Sequence, residues 1–395
     1  MRKSIAVFII VCMAFISGCG NTSSSTTTVY SLPTTTTLKP TSRTILGGAI
    51  QGVGALSFNN YSVTTFSGSS AGLSDSPANF NRPIGITTDG TNLYVADYFN
   101  NAIRQINILS QVVTTIAGGA STGSADGTGT AASFNRPNSI TIDGNNNLYV
   151  TDSGNYTIRK IVLPAGASGA VVSTLAGGVG TAGSVDAVGL NARFNSLNGI
   201  TTDNANLYVT DSNNTIRRVD LLTSMVTTLA GIPGKIGSTD CGPGAQATAL
   251  FNQPARITTD GPSLYVADFA NSTIRKIDLA SGTVSTIAGK AGPGGVAGSH
   301  ADSTDGTGLT ARFNQPNGIT IDDFNLYVTD SYDNTVRKIV LSTGFTTTIA
   351  GNPGVAGLAD ASSTSATFNT PIGITTDGIS LYITDIVNHR IRKIH

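Results

Sequence analysis

Six aspartates end the same apolar run at six places, and a carboxylate repeated in this way is the first candidate for chemistry. The run reads LYVAD or LYVTD five times and LYITD once. Catalysis by paired carboxylates requires unlike surroundings, so that one is protonated while the other is ionised. Six equivalent copies provide no such difference, which disfavours catalysis. The aspartates are Asp97, Asp152, Asp211, Asp268, Asp330 and Asp385.

Each of these aspartates precedes a turn with Asn and then a strand with Arg. A carboxylate in this position can accept hydrogen bonds from the backbone N–H groups of the turn. It can also form an ion pair with the Arg of the next strand. We therefore predict a structural role for all six. The arginines are Arg104, Arg159, Arg217, Arg275, Arg337 and Arg392.

Metal ligands are sparse. The sequence contains no Glu, and its three histidines, His300, His389 and His395, occupy unrelated positions. A zinc site would require them to converge, which this placement disfavours. Calcium accepts Asp and Asn oxygens, and the segments 124–130 and 302–308 contain such residues without the spacing of an EF-hand. We expect no metal and no cofactor, and a calcium site is the alternative.

The aspartates belong to a sequence repeat. Each unit has four short apolar stretches separated by Gly, Asp and Asn, which predicts four β-strands. The last unit lacks the fourth stretch, and an unmatched copy, VTTFSG at 63–68, precedes the first unit. We therefore predict an all-β, six-bladed β-propeller over 61–395, closed by an N-terminal strand that completes the last blade. The Phe-Asn dipeptides that mark the units begin at Phe80, Phe134, Phe194, Phe251, Phe313 and Phe368.

Length variation is concentrated in the linkers between units. We expect these linkers on the same face as the loops that follow the LYVxD runs, where binding surfaces are commonly built. Each linker carries an Asp for which we predict turn capping, with a ring of ligand contacts as the alternative. These residues are Asp75, Asp126, Asp186, Asp240, Asp305 and Asp360.

One repeat departs from the others where its first strand begins. The six strands begin PIGI, PNSI, LNGI, PARI, PNGI and PIGI, so Arg256 replaces a small residue. We expect the small residues to leave room at the mouth of a central channel, where Arg256 would hold an anionic ligand. Asn138, Asn198 and Asn317 are candidate neighbours. The alternative is that Arg256 turns back onto Asp240. The small residues are Gly85, Ser139, Gly199, Gly318 and Gly373.

Aromatic residues stand in three of the loops that follow the LYVxD runs, namely Tyr98, Phe99, Phe269 and Tyr332. Exposed aromatic side chains on one face are typical of contact with a partner. We therefore include these four residues among the candidate ligand contacts. Inward packing under the linkers is the alternative.

The N-terminal region has the form of an export signal. Residues 1–18 contain two basic residues and an apolar stretch too short to span a bilayer. The sequence ISGC at 16–19 resembles the bacterial lipobox, which implies lipidation of Cys19; an ordinary secretory signal is the alternative. Residues 19–42 form a Ser/Thr-rich tether. Residues 43–60 match no repeat, and we predict a leading strand or a plug.

Net charge and cysteine content limit the classes of partner and the cellular locations that the sequence allows. With 23 basic and 23 acidic residues the chain has no net charge, which argues against nucleic acid as a partner. Only Cys19 and Cys241 lie beyond the signal, so we expect no internal disulfide. Gly20 after the cysteine resembles the pattern of outer-membrane sorting. We expect a cell-envelope lipoprotein at the outer membrane, on its periplasmic or surface side, with its lipid as the only membrane contact.

The units resemble NHL repeats. The resemblance rests on GITTDG and LYVADYFNNAIRQI in the first unit and on Asn388-His389-Arg390 in the sixth. It implies a six-bladed propeller, but propellers include lyases, lactonases, RNA-binding proteins and scaffolds. We expect a scaffold that binds an envelope or extracellular protein, peptide or glycan on its loop-rich face. The alternative is a metal-dependent lyase or lactonase that acts in the central channel.

Overall fold

The computed structural model describes residues 44–46, 48–52, 54–58, 60–119, 121–164, 169–292 and 303–395. The predicted signal peptide, Cys19, the tether and His300 lie outside these residues. Within the described part, six antiparallel sheets of four core strands follow one another along the chain. Each innermost strand contacts the innermost strands of both neighbouring blades, and the sixth contacts the first. The predicted six-bladed β-propeller is confirmed.

The second strand of each blade carries the LYVxD run. Its residues from Leu to Asp are buried throughout, because neighbouring blades cover both faces of the sheet. This position explains why the run is continuously apolar instead of alternating. From innermost to outermost, the strands are Pro83–Thr88, Asn92–Asp97, Ala102–Asn107 and Val113–Gly118 in blade 1; Pro137–Ile142, Asn147–Asp152, Thr157–Val162 and Val171–Ala176 in blade 2; Leu197–Thr202, Asn206–Asp211, Thr215–Asp220 and Val226–Ala230 in blade 3; Pro254–Thr259, Ser263–Asp268, Thr273–Asp278 and Val284–Gly289 in blade 4; Pro316–Ile321, Asn325–Asp330, Thr335–Val340 and Phe345–Ala350 in blade 5; and Pro371–Thr376, Leu381–Asp385, Arg390–Ile394 and Ser62–Ser67 in blade 6.

The linkers do not stay on one face as we expected. They leave the face on which the innermost strands begin, here called the mouth face, and three of them add a short strand to the outer edge of the next blade. These strands are Gly127–Thr128, Gly306–Thr307 and Ala361–Ser362. The linkers, which vary in length, therefore run along the outer rim of the propeller as well as over the mouth face.

Helical structure in the described residues consists of single 3-10 turns. No helix in this part of the chain is long and apolar enough to cross a membrane. The turns are Tyr98–Asn100, Gly129–Ala131, Ser153–Asn155, Gly189–Asn191, Gln246–Thr248, Phe269–Asn271, Gly308–Thr310 and Ser363–Ser365.

Ring closure follows the predicted register. Strand Ser62–Ser67 pairs antiparallel with Arg390–Ile394 and becomes the outermost strand of blade 6. Val63 and Phe66 are buried in this strand. Closure removes the unpaired sheet edge that an open ring would leave.

Neighbouring innermost strands approach each other at the position of the small residues. A Cβ on Gly318 would overlap the carbonyl oxygen of Ile372 in the next blade. Thr329 fills the remaining space: its hydroxyl accepts the Gly318 backbone N–H at 2.7 Å and donates to Ile372 O at 2.7 Å. The expectation that these small residues leave open room is therefore wrong, because the backbone of the next blade occupies the space.

The described residues 44–46, 48–52 and 54–58, for which the sequence predicts a leading strand or a plug, close the channel at the end opposite the mouth face. Strands Thr44–Leu46 and Ala49–Gln51 form a hairpin. In its turn, Gly48 O accepts hydrogen bonds from Thr87 and Thr375, which lie near the ends of two innermost strands. Asp323 holds the following residues through the backbone N–H groups of Gly52 and Gly54, at 2.9 and 2.7 Å. The segment is a plug, and the channel is closed at that end.

Candidate functional site

The six repeated aspartates are engaged in the fold. Asp97 accepts hydrogen bonds from Asn81 N, Asn100 Nδ2 and Arg104 Nη1, each at 2.8 Å. Both side chains of the ion pair are fully buried. The predicted pairing with the Arg of the next strand is confirmed in every blade. The pairs, separated by 2.8 to 3.3 Å, are Asp97–Arg104, Asp152–Arg159, Asp211–Arg217, Asp268–Arg275, Asp330–Arg337 and Asp385–Arg392.

The linker aspartates bind the same arginines from the outside. Asp75 contacts Arg104 Nη2 at 2.5 Å and accepts the Thr115 backbone N–H on the outermost strand. The guanidinium also lies over the Phe80 ring, 5.1 Å from its centroid. The prediction of turn capping is wrong, because these carboxylates bind an arginine and the outermost strand instead. The outer pairs are Asp75–Arg104, Asp126–Arg159, Asp186–Arg217, Asp240–Arg275, Asp305–Arg337 and Asp360–Arg392.

Burial raises the pKa of all six aspartates that end the LYVxD runs, here called the inner aspartates. It raises the pKa of Asp152, Asp211, Asp268 and Asp330 to about 6, against the lowering effect of the hydrogen bonds and the arginine. The pKa values of Asp97 and Asp385 are raised for the same reason. Because all six shift alike, they provide no division into acid and base.

The histidines that the structure describes do not converge. His389 precedes strand Arg390–Ile394 and His395 follows it, so about 20 Å of extended chain separates them. His389 Nδ1 accepts the Arg82 backbone N–H at 3.1 Å. In the described ranges no group of three or more His, Cys, Asp or Glu residues is placed to hold a metal ion.

A cavity of about 400 Å³ opens at the mouth of the central channel and is here called the mouth cavity. Its walls include Arg256, Asn138, Asn198, Asn317, Tyr98 and Phe269, six of the eight residues that we selected from sequence. The innermost strands position the first four, and the 3-10 turns that follow the LYVxD runs position the two aromatics. The structure therefore brings these side chains from five blades to one place.

Arg256 crosses the channel instead of turning back onto Asp240. Its Nη2 donates to Asn138 Oδ1 at 2.8 Å, and its Nη1 donates to Asn198 O at 3.3 Å. Asp240 is bound to Arg275 and Thr286, so the alternative pairing with Arg256 is wrong. Burial lowers the pKa of Arg256 to about 10.

The aromatic residues form two edge-to-face pairs. Tyr98 and Phe99 have ring centroids 5.0 Å apart, and Phe269 and Tyr332 have centroids 6.2 Å apart. In each pair one ring lines the mouth cavity, while Phe99 and Tyr332 remain 43% and 60% exposed. Inward packing therefore does not apply to Phe99 and Tyr332, and the pairs extend the cavity wall towards solvent.

Sequence reasoning missed Ser212 and Gln253, which also line the mouth cavity. A signal was present for Gln253. The residue before the innermost strand varies among the blades, although the Phe-Asn that precedes it does not. A variable residue beside a repeated one is the expected pattern for a residue free to serve binding. The six residues are Arg82, Arg136, Ser196, Gln253, Gln315 and Thr370.

Comparisons with known proteins agree with this architecture. The family model of the NHL repeat matches residues 134–161. NHL repeat-containing protein 2 from Bos taurus is 29% identical over 81% of this chain and 47% of its own length. The chain thus spans about half the length of the curated relatives that it matches.

Two solved structures share the fold. An auxiliary nutrient binding protein from Bacteroides thetaiotaomicron is 19% identical, with a TM-score of 0.62 over 84% of this chain and 76% of that one. A catalytically inactive virginiamycin B lyase from Staphylococcus aureus, with quinupristin, is 17% identical, with a TM-score of 0.51 over 85% of this chain and 99% of that one. The protein is a six-bladed β-propeller. The segment 134–161 of its second repeat unit matches the NHL repeat, and the chain is similar to NHL repeat-containing proteins.

Proposed function

We propose that the protein is a lipid-anchored scaffold of the cell envelope that binds a protein, peptide or glycan on its mouth face. The observation that carries this proposal is the mouth cavity, which amides, aromatic rings and one guanidinium surround. A volume of about 400 Å³ and a mixed polar and aromatic wall are typical of binding pockets for small ligands or ligand ends. The Bacteroides thetaiotaomicron protein of similar fold is described as an auxiliary nutrient binding protein, which supports a binding role.

Array binding tests the role of the mouth face. The full-length protein is applied to glycan and peptide arrays, beside the variants Tyr98→Ser and Phe269→Ser. We expect retained ligands to be lost in both variants, because each removes a wall of the cavity. Phe324→Ser and Ile379→Ser are matched controls, since these side chains are 57% and 62% exposed in turns on the opposite face. Absence of any ligand, or equal loss in the controls, would overturn the proposal.

The anchor is tested separately. Acylation joins a lipid to a cysteine thiol, so Cys19→Ala is expected to abolish labelling by a fatty-acid analogue and to release the protein from membranes. Cys241→Ala is the control and is expected to keep both. Labelling that persists in Cys19→Ala would contradict the proposed outer-membrane anchor.

A further inference from the structure

Arg256 differs from the other buried arginines in what surrounds it. It is 8% exposed, and its three hydrogen bonds all go to oxygens of Asn138 and Asn198. Each of the six arginines in the third strands lies between two carboxylates within 3.3 Å. Among the described residues, none that lines the mouth cavity carries a carboxylate. The charge of Arg256 is therefore buried without a counter-ion.

The guanidinium also keeps unused donors. It has five N–H groups, and the three contacts of Arg256 use at most three of them. The buried Nε has no acceptor in the described part of the chain either, but the six third-strand arginines share that feature, so the difference lies in the missing carboxylate. An unpaired buried charge costs several kcal/mol, so such an arrangement is costly unless a ligand completes it.

The fold itself does not require an arginine here. The equivalent positions of the other blades hold Gly or Ser, and Ser139 shows that a blade accepts a small polar side chain there. Arg256 therefore adds a charge to a position that the propeller builds without one. The natural interpretation is a contact that serves a ligand.

The surroundings select the chemistry of that ligand. A carboxylate is planar, carries a single negative charge and offers two oxygens to the fork of a guanidinium. No second cation lines the mouth cavity in the described residues, so a dianion such as a phosphate ester would keep an uncompensated charge. The buried Asn317 Oδ1 has no hydrogen-bond donor in the described residues and suits a hydroxyl group, and the rings of Tyr98 and Phe269 suit the C–H face of a sugar.

We propose that the mouth cavity binds a sugar acid, whose carboxylate Arg256 holds while Asn138, Asn198 and Asn317 contact its hydroxyl groups. The plug closes the far end of the channel, so the ligand enters from the mouth face with its carboxylate first. This inference rests on the proposed binding function and names its ligand class.

Calorimetry with defined sugars tests the inference. Glucuronate, galacturonate and N-acetylneuraminate are titrated into the full-length protein at neutral pH, beside glucose, galactose and glucose 6-phosphate. We expect at least one sugar acid to bind, and its neutral or phosphorylated counterpart to bind at least tenfold more weakly. Equal binding of a neutral sugar, stronger binding of the phosphate, or no binding of any sugar acid would overturn the assignment.

Variants of Arg256 show whether that residue is responsible. Arg256→Ser removes a charge-assisted hydrogen bond and is expected to weaken binding by about 10- to 100-fold. Arg256→Lys keeps the positive charge but loses the two parallel donors of the guanidinium. Its affinity is expected to lie between those of the wild type and Arg256→Ser. Arg136→Ser is the matched control, because Arg136 is exposed on the same face and blade 3 has Ser196 at that position. An equal loss of affinity in Arg136→Ser would show that the effect depends on the overall positive charge of the face and not on a contact made by Arg256.

Thermal melting separates binding from folding. Arg256→Ser removes an uncompensated buried charge, so its melting temperature is expected to equal or exceed that of the wild type. A clear fall in melting temperature with unchanged affinity would make Arg256 a structural residue and refute the inference. Array ligands that still depend on Tyr98 but not on Arg256 would refute it while leaving the proposed function intact.

Discussion

Replacing Asp268 by Ala is expected to lower the free energy of unfolding by about 3–5 kcal/mol, the usual cost of breaking a buried ion pair from one side. The side chains of Asp268 and Arg275 are fully buried and 2.9 Å apart. The carboxylate also accepts the Asn252 backbone N–H at 2.8 Å and Asn271 Nδ2 at 2.7 Å. Alanine therefore removes the acceptor of three buried donors at once.

Asp240→Ala is the matched control, because it removes the other carboxylate from the same guanidinium. Its side chain is 46% exposed, 2.7 Å from Arg275. Water can replace part of what is lost, so we expect a cost of about 1 kcal/mol. Asp268→Asn keeps the shape and loses the charge, and we expect an intermediate effect.

Urea unfolding of the full-length variants, followed by far-UV circular dichroism, measures these differences. We expect the midpoint to fall several times further for Asp268→Ala than for Asp240→Ala, with similar slopes. Equal losses would refute the argument from burial. A fully stable Asp268→Ala protein that has lost ligand binding would place this carboxylate in a functional site instead.

Three further predictions concern the architecture. Deletion of residues 61–68 is expected to expose the edge of blade 6 and cause aggregation; an unchanged melting curve and a monomeric elution profile would contradict the closure. Gly318→Ala is expected to cause a large loss of thermal stability through overlap with the next blade, whereas Gly119→Ala, whose Cβ would meet nothing within 4 Å, is the neutral control. Asp323→Ala is expected to loosen the plug, so that limited proteolysis cuts within 44–58 faster than in the wild type; equal cleavage rates would show that Asp323 does not hold the plug.

The fold was predictable because the signals for it lie within one repeat unit. Strand order, the pairing of Asp97 with Arg104 and the closing strand all follow from periodicity and from residues less than one blade apart, or from counting copies. The six repeat units carry this information several times over. An error in one unit would have been corrected by the others.

Contacts between units were predicted less well, because periodicity does not show what faces a residue from the next blade. The sequence predicts open space at Gly318, although a Cβ there would overlap the backbone of the next blade. The sequence predicts a turn cap at Asp75, although its carboxylate forms an ion pair with Arg104 of the blade that follows it. Arg256 was placed at the channel mouth, but its reach to Asn138 and Asn198 in two other blades depends on the ring geometry.

The closing strand also sets an order of events in time. Ser62–Ser67 leaves the ribosome before the other strands of the propeller, yet its partner Arg390–Ile394 is the last of those strands in chain order. Throughout synthesis the early strand keeps unpaired N–H and C=O groups and the apolar side chains of Val63 and Phe66 without their final cover. Pairing between segments so distant in sequence is slow, and incomplete chains with open strand edges tend to associate. The pairing that leaves the finished ring without an open sheet edge therefore leaves the incomplete chain with one. Until Arg390–Ile394 has been made, that edge and the apolar side chains beside it favour association with other chains.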